Sequence, residues 1–213
     1  MNAEPIRLIL FARYPVAGKA KTRLIPAVGD EGAAQIHKIL AQKTASTLSI
    51  VAHQQDAAQF ILSYTGGTLQ DFDQWLCRDA GLKDIEFKPQ PDGDLTERLL
   101  FMLGSTPTIF FGSDTPDLTE GHVNDAIIAL QDHDVVIGPA LDGGYYLIGM
   151  NDPHEMLLTD MPWSSEQVLP VTLERCEKAD LKVQMLEALS DCDMPEDLAR
   201  WDWLQKEYSK VML

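Results

Sequence analysis

Short apolar runs alternate with longer amphipathic stretches along the chain, and this alternation constrains the fold more than any other feature of the sequence. Strands that alternate with helices are typical of an α/β protein with a largely parallel sheet. The apolar runs predict strands at residues 6–12, 59–64, 85–89, 108–112, 134–140, 145–150 and 181–189. The amphipathic stretches predict helices near residues 30–52, 68–80, 94–104, 119–132, 164–179 and 195–208.

Two predicted helix starts are supported by the spacing of polar residues. Asp94 with Glu97, and Ser164 with Gln167, have the spacing of a capping box, in which each side chain accepts a hydrogen bond from the main chain of the other residue. The chain has 213 residues, of which 45% are hydrophobic. This is enough to bury one sizeable core, and no linker or repeat interrupts it, so we predict a single domain over residues 1–213.

The charge of the chain restricts its partners. With 17 Lys and Arg against 33 Asp and Glu, the formal net charge is −16, which argues against nucleic acid or an anionic membrane as the main partner. A small anionic ligand remains compatible with this charge.

The sequence has no apolar run of about 20 residues and no basic start with a cleavage site, so we expect a cytoplasmic protein without a membrane span. Its oligomeric state is left open.

Cysteine and histidine spacing argues against disulfides and structural zinc. The three cysteines are odd in number and far apart, at positions 77, 176 and 192, so reduced thiols are expected. The five histidines are scattered and show no zinc-binding spacing.

A basic loop follows the first strand. Residues 11–24 read FARYPVAGKAKTRL, and no acidic residue occurs between Glu4 and Asp30. In an open α/β sheet the segment after the first strand lies over the ligand crevice, so this local reversal of charge indicates an anion site. A solvated basic loop is the alternative. The basic residues between the two acids are Arg7, Arg13, Lys19, Lys21 and Arg23.

The spacing within this loop suits a polyphosphate. Lys19, Lys21 and Arg23 alternate, so an extended segment would point all three to one side. The planar guanidinium of Arg23 can bind two phosphate oxygens at once. The loop is not a Walker A motif, because Ala20 follows Lys19 and the upstream glycine of that motif is missing.

Two acidic motifs predict a metal site. Asp114 follows a buried strand in IFFGSDTPDL, and Asp193 alternates with Asp191 after the last predicted strand. A carboxylate at a strand end can hold Mg²⁺ or Mn²⁺ together with phosphate oxygens. If Asp114 and Asp193 meet at about 4 Å, they would repel by roughly 4 kcal/mol at an effective dielectric of 20, which a divalent cation would relieve. The alternative is that these carboxylates cap a turn and a helix.

A glycine-rich segment supplies a further candidate site. In GPALDGGYYLIGM, residues 138–150, Asp142 precedes Gly143 and Gly144. Paired glycines allow close approach of the backbone to a ligand, and a plain hairpin turn is the competing explanation. Tyr145 and Trp163 could stack on a sugar or base, or belong to the core.

Four motifs together resemble one known family. KTRL, GSDTP, GPALDGGYYLIG and DCDMPEDL are similar to those of the DUF2064-type bacterial family described as glycosyltransferase-like, within the nucleotide-diphospho-sugar transferase superfamily. The resemblance spans residues 6 to about 205. KTRL and the last motif are also similar to those of 2-phospholactate and molybdenum cofactor guanylyltransferases.

The chain departs from the family pattern at two positions. Met194 stands before the proline where relatives usually have Thr, and Thr96 replaces an expected glycine. Neither change removes a proposed metal ligand. The second weakens the assignment of residues 90–98 as a nucleotide contact.

The resemblance implies a fold and a set of site residues. The fold would be a three-layer, Rossmann-like GT-A α/β fold with a mostly parallel central sheet. Mg²⁺ or Mn²⁺ would be held by Asp114 and Asp193. The implied nucleotide-binding residues are Phe11, Ala12, Arg13, Gly18, Lys19, Lys21, Arg23, Gln90, Gly93, Asp94, Arg98 and Ser113. The implied catalytic residues are Asp114, Asp142, Lys21 and Arg23. The residues implied to face an acceptor or sugar are Asp142, Gly143, Gly144, Tyr145 and Trp163.

Three functions fit these features. The first is a metal-dependent glycosyltransferase that takes a nucleotide sugar and a small-molecule acceptor, with Lys19, Lys21 and Arg23 neutralising the leaving phosphate. The second is a nucleotidylyltransferase that transfers a guanylyl or cytidylyl group and releases pyrophosphate. Its triphosphate substrate needs more positive charge near the first loop than a diphosphate donor does, and the cluster of Lys19, Lys21 and Arg23 fits this need slightly better. The third is a nucleotide-binding module without turnover.

Overall fold

A computed structural model describes residues 5–55, 57–105 and 107–211. Glu4, which belongs to the N-terminal segment where the sequence shows no basic start or cleavage site, lies outside these residues. Seven strands are present in the described part of the chain. They are β1 (Ile6–Arg13), β2 (Ala58–Thr65), β3 (Ile85–Pro89), β4 (Thr108–Phe111), β5 (Val135–Pro139), β6 (Tyr145–Met150) and β7 (Val183–Met185).

Helices connect most of these strands. The α-helices are α1 (Ile25–Gln54), α2 (Leu69–Phe72), α3 (Leu95–Met102), α4 (Glu120–Ala129), α5 (Val168–Lys178) and α6 (Asp202–Val211). α2 continues as a π-helical segment, Asp73–Asp79. Single turns or short stretches of 3₁₀-helix occupy Thr22–Leu24, Glu155–Leu157 and Pro195–Arg200.

The seven strands form one sheet in the order β3-β2-β1-β4-β6-β5-β7. β6 runs antiparallel to both of its neighbours, and the other neighbouring pairs are parallel. The predicted α/β class with a mostly parallel sheet is therefore confirmed. β5 and β6 pair antiparallel because only a short turn at 140–144 separates them in the chain. β6 also pairs antiparallel with β4 and so lies between β4 and β5.

Helices cover both faces of the sheet and produce three layers. In β1, Leu8 and Leu10 pack on one face in a cluster with residues of α1, α2 and α4. Ile9 points to the opposite face and packs with residues of α3 and α5. Alternate residues of a strand point to opposite faces, so a strand buried on both sides reads as the continuous apolar run seen in the sequence.

One predicted capping box is confirmed and the other is wrong. The main-chain nitrogen of Glu97 donates to Asp94, and that of Asp94 donates to Glu97, at 3.0 and 2.8 Å. In contrast, Ser164 lies in a left-handed turn with φ of 62°, and α5 begins only at Val168. A start at residue 164 would put Pro170 in the helix interior, where it removes a main-chain hydrogen bond.

Two other elements are shorter than predicted. β7 ends at Met185, and of the later residues Leu189 makes only an isolated bridge to Ala140. The helix predicted over 195–208 is broken at Trp201, whose backbone is extended. Trp201 is buried and its indole nitrogen donates to Asp117 at 2.9 Å, so packing of this side chain interrupts the helix.

The described residues contain no helix that combines the length and the apolar character required to cross a bilayer. All three cysteines are free thiols, as the sequence predicts.

Candidate functional site

A cavity of about 380 Å³ opens at the carboxyl ends of β1 and β4. These two strands are neighbours, but the chain continues from β1 towards one edge of the sheet and from β4 towards the other. Such a switch in strand order is where open α/β sheets place their ligands. The cavity is lined by Phe11, Ala12, Arg13, Lys19, Ala20, Lys21, Thr22, Arg23, His37, Thr65, Gln90, Leu95, Arg98, Ser113, Asp114 and Asp193.

The basic loop is irregular, as its proline and glycine content predicts, but it is not extended. Gly18 has φ of 73° and Lys21 has φ of 48°, and a 3₁₀ turn follows at Thr22–Leu24. These left-handed residues reverse the chain direction. The extended segment that the alternation predicts is therefore wrong, but Lys19, Lys21 and Arg23 still line one cavity. Lys19 and Arg23 are exposed, and Lys21 turns inward.

Lys21 lies between the two predicted metal ligands. Its Nζ is 2.6 Å from Oδ1 of Asp193 and 3.1 Å from Oδ2 of Asp114, and its side chain is only 5% exposed. Burial alone would lower the pKa of Lys21, but the two carboxylates outweigh it and raise the pKa. Burial would likewise raise the pKa of Asp114, yet the Lys21 ammonium holds it below its ordinary value.

The donor set of this triad fits a hard divalent cation. The two carboxylates converge on one point, they are 39% and 37% exposed to the cavity, and Mg²⁺ accepts one or two carboxylates together with phosphate oxygens. In this structure the cation between Asp114 and Asp193 is the Lys21 ammonium. Among the described residues, no group of three or more His, Cys, Asp or Glu side chains forms a metal centre, so phosphate or water oxygens would have to complete the coordination.

A second polar chain leads from β2 to the opposite wall of the cavity. The side-chain amide of Gln90 donates to the carbonyl oxygen of Ser63 at 2.8 Å, and Nη1 of Arg98 donates to Oε1 of Gln90 at 3.2 Å. This chain fixes the orientation of the Arg98 guanidinium.

Three residues that the resemblance assigns to the nucleotide do not line the cavity. Gly18 shapes the basic loop, Gly93 precedes the first turn of α3, and Asp94 caps that helix.

Two residues near the cavity had not been singled out as site residues. His37 lies on α1 beneath the loop, and its Nε2–H donates to the carbonyl oxygen of Arg13 at 2.9 Å; burial lowers its pKa. Asp191 accepts a hydrogen bond from Thr115 at 2.8 Å, and burial raises its pKa to about 6. The alternation of Asp191 with Asp193 in the sequence could have indicated Asp191 as a site residue. Nothing in the sequence marks His37.

A smaller cavity of about 220 Å³ lies next to the first and shares Phe11 and Leu95 with it. Four of the five residues predicted to face an acceptor or sugar line this cavity: Asp142, Gly144, Tyr145 and Trp163.

Gly143 and Thr96 support the wall of this smaller cavity. The carbonyl oxygen of Gly143 accepts a hydrogen bond from the main-chain nitrogen of Leu169 at 3.0 Å, so it links the turn to α5. Thr96, which departs from the family pattern, accepts a hydrogen bond from the indole of Trp163 at 2.8 Å and thereby holds that ring against α3.

Solved structures share this fold. A protein from Desulfovibrio desulfuricans G20, named "putative nucleotide-diphospho-sugar transferase", has 27% identity and a TM-score of 0.78, covering 96% of this chain and 98% of that chain. The 4-diphosphocytidyl-2C-methyl-D-erythritol synthase of Anaerococcus prevotii has 13% identity and a TM-score of 0.58, with 99% of each chain covered. A manganese complex of Rv0371c from Mycobacterium tuberculosis H37Rv has 16% identity and a TM-score of 0.50, covering 93% and 98%.

The fold, with its site at the β1–β4 switch point, defines an α/β protein of the nucleotide-diphospho-sugar transferase class. Residues 47–165, more than half of the chain, match the family described as "Uncharacterized protein conserved in bacteria (DUF2064)". The chain belongs to this family, so the predicted family is confirmed; of the four motifs, GSDTP and GPALDGGYYLIG lie within the matched residues. No curated protein gives a significant match.

Proposed function

We propose that this protein is a glycosyltransferase that takes a nucleotide-diphospho-sugar as donor and a small molecule as acceptor. The observation that carries the proposal is the Lys21–Asp114–Asp193 triad on the floor of a cationic cavity. Five basic and two acidic residues line this cavity, although the protein as a whole has a net charge of −16. Such a local concentration of positive charge attracts a polyphosphate.

The triad favours a diphosphate over a triphosphate ligand. While Lys21 is paired with the two carboxylates, its charge neutralises them rather than a phosphate, and a metal ion bound there would take over that role. Arg23 also lies 3.8 Å from Asp193, so the other cations that line the cavity are Arg13, Lys19 and Arg98. Lys19, Lys21 and Arg23 all line the cavity, as a triphosphate would require, but Lys21 and Arg23 both lie against Asp193, and of these three described residues only Lys19 does not. The 27% identical relative named for nucleotide-diphospho-sugar transfer supports the same choice.

The residues of the cavity have separable roles in this proposal. Lys19 and Arg23 would bind the diphosphate and neutralise the charge that develops as the sugar leaves it. Arg98, oriented through Gln90, would contact the nucleotide on the opposite wall. Asp114 and Asp193 would hold Mg²⁺ or Mn²⁺, which supplies further charge neutralisation at the diphosphate.

The transfer would occur where the two cavities meet. The acceptor oxygen forms a bond to the anomeric carbon, the bond from that carbon to the diphosphate oxygen breaks, and a nucleoside diphosphate leaves. The hydroxyl proton goes to a carboxylate, for which Asp142 is the candidate. Oδ1 of Asp142 accepts a hydrogen bond from the main-chain nitrogen of Gly144 at 2.9 Å, which orients the carboxylate and leaves Oδ2 for the acceptor.

A thermal-shift panel tests the donor first. Nucleoside triphosphates, diphosphates and nucleotide sugars are each added with Mg²⁺, Mn²⁺ or EDTA, because a ligand that binds only the native state raises the melting temperature. We expect the largest shift with one nucleotide sugar, and a larger shift with metal than with EDTA. Asp114→Asn should abolish the metal response. Asp132→Asn, an exposed carboxylate at the opposite edge of the sheet, is the matched control and should retain it.

Product analysis then separates the functions. Free nucleoside diphosphate on addition of an acceptor supports the proposal. Pyrophosphate release from a triphosphate would instead assign nucleotidyl transfer. Binding without any product would assign a nucleotide-binding module, and no thermal shift with any nucleotide would overturn the proposal altogether.

A further inference from the structure

The smaller cavity differs in chemistry from the cationic cavity beside it. Side chains of the sheet, of α3, of α5 and of the segment before α5 form its walls, and most of them are apolar. Tyr145 contributes its ring, and the hydroxyl of Tyr146, which also borders the cavity, donates to the carbonyl oxygen of Glu187 at 3.1 Å. The apolar wall residues are Phe11, Leu95, Leu99, Phe110, Phe111, Leu147, Ile148, Trp163 and Val168.

Polar groups of this cavity are concentrated at its rim. Asp142, Ser164 and Ser165 are exposed residues that border it. Oδ1 of Asp142 is held by the Gly144 main-chain nitrogen, and Oγ of Ser165 donates to the carbonyl oxygen of Pro162 at 2.7 Å. A ligand in this cavity would therefore meet hydrocarbon in the interior and a carboxylate at the opening.

We infer that this cavity holds the apolar body of the acceptor, and that the acceptor is an aromatic or branched aliphatic alcohol whose hydroxyl lies at Asp142. The inference rests on the proposed function, since it names the acceptor class of the same transfer. A sugar or sugar phosphate is disfavoured as the occupant, because its hydroxyl groups would lose their water and find no partners on the hydrocarbon walls.

The size and position of the cavity limit the occupant further. An apolar cavity of about 150 Å³ binds benzene, so about 220 Å³ accommodates one substituted ring or a short branched chain. Phe11 and Leu95 border both cavities. An alcohol whose ring fills the smaller cavity can thus present its hydroxyl towards the sugar of a donor bound in the larger one.

Binding of 2-phenylethanol to the full-length protein tests the inference. The dissociation constant is measured by ligand-observed NMR, with erythritol as a polar alcohol of similar length. We expect 2-phenylethanol to bind and erythritol not to bind. Ser165→Phe places a ring at the rim and should weaken 2-phenylethanol binding at least tenfold. Glu177→Phe adds the same ring to an exposed position of α5 that does not line the cavity, and should leave binding unchanged.

The outcomes separate this inference from the proposed function. If nucleotide sugars raise the melting temperature but 2-phenylethanol does not bind, or if Ser165→Phe binds it as tightly as the wild type, the acceptor assignment is overturned and the transferase proposal stands. If 2-phenylethanol binds and no nucleotide does, the transferase proposal fails. Should Ser165→Phe not fold, Val168→Phe fills the cavity from the start of α5 and takes its place.

Discussion

Lys21 Nζ lies 2.6 Å from Oδ1 of Asp193, although 172 positions separate the two residues in the chain. The same ammonium contacts Asp114 at the end of β4. The pair therefore ties the basic loop after β1 to the segment after β7. The Lys21 ammonium also lies between Asp114 and Asp193, where the two carboxylates would otherwise repel each other.

Lys21→Met removes this cation and should both destabilise the protein and expose a metal site. Both carboxylates are more than a third exposed, so we expect a loss of about 1 to 2 kcal/mol in EDTA rather than the larger cost of a fully buried pair. Mn²⁺ should restore the melting temperature, and calorimetry should show Mn²⁺ affinity at least tenfold above that of the wild type. Lys19→Met, which leaves the triad intact, is the control. Equal Mn²⁺ affinity in Lys21→Met and wild type would contradict the assignment of these ligands.

Lys19→Ala and Arg23→Ala should weaken nucleotide binding without unfolding the protein. Both side chains are exposed in the basic loop, and exposed charge changes usually alter stability by less than about 0.5 kcal/mol. The double variant should raise the dissociation constant of the best nucleotide at least tenfold and reduce its salt dependence. Lys206→Ala, an exposed lysine on α6, should change neither. If the double variant binds the nucleotide as tightly as the wild type, the basic loop is a solvated surface and not a phosphate-binding site.

Asp191 should make the protein less stable as the pH rises from 4 to above 6. Burial raises the pKa of this carboxyl from 3.8 to about 6, so within this window the native state retains a proton that the unfolded chain has lost. Because the native state then binds more protons, stability falls with increasing pH. Asp191→Asn removes this decline.

The comparison of Asp191→Asn with wild type is made by urea unfolding in EDTA at pH 4 and pH 8. The variant should gain stability relative to wild type between the two pH values by on the order of 1 to 2 kcal/mol, allowing for the partial exposure of the side chain. Asp132→Asn serves as the exposed control. A gain of the same size in that control would show that the effect does not come from Asp191.

Gly143→Ala should disturb the turn that carries Asp142. Gly143 has φ of 92°, and a Cβ at this position would lie 2.6 Å from main-chain atoms of Glu166. We expect a loss of about 1 to 3 kcal/mol from backbone strain, measured by chemical unfolding, together with weaker 2-phenylethanol binding. In Gly144→Ala the new Cβ would approach only the flexible carboxylate of Asp142, at 3.2 Å, so its stability loss should be smaller. Equal losses in the two variants would exclude the clash with Glu166 as the cause.

The sequence pattern predicted strands and helices correctly where the burial of a segment and its intrinsic conformational preference favoured the same structure. All seven strands were predicted, because each is an apolar run bounded by turn residues, and the Asp94–Glu97 capping box follows from spacing alone. Prediction failed where a distant contact decides the local structure. Trp201 breaks the last predicted helix because its ring packs into the core and its indole nitrogen reaches Asp117.

The sequence by itself determined the α/β class, the position of a basic loop after the first strand, and the acidic residues that follow the later strands. These features depend on periodicity and on neighbouring residues in the chain. Only the tertiary structure decided that Lys21 lies between Asp114 and Asp193, and that the site consists of a cationic cavity beside an apolar one. The physical reason is that ion pairs and cavities form between segments far apart in the chain, where neither spacing nor composition carries information about distance.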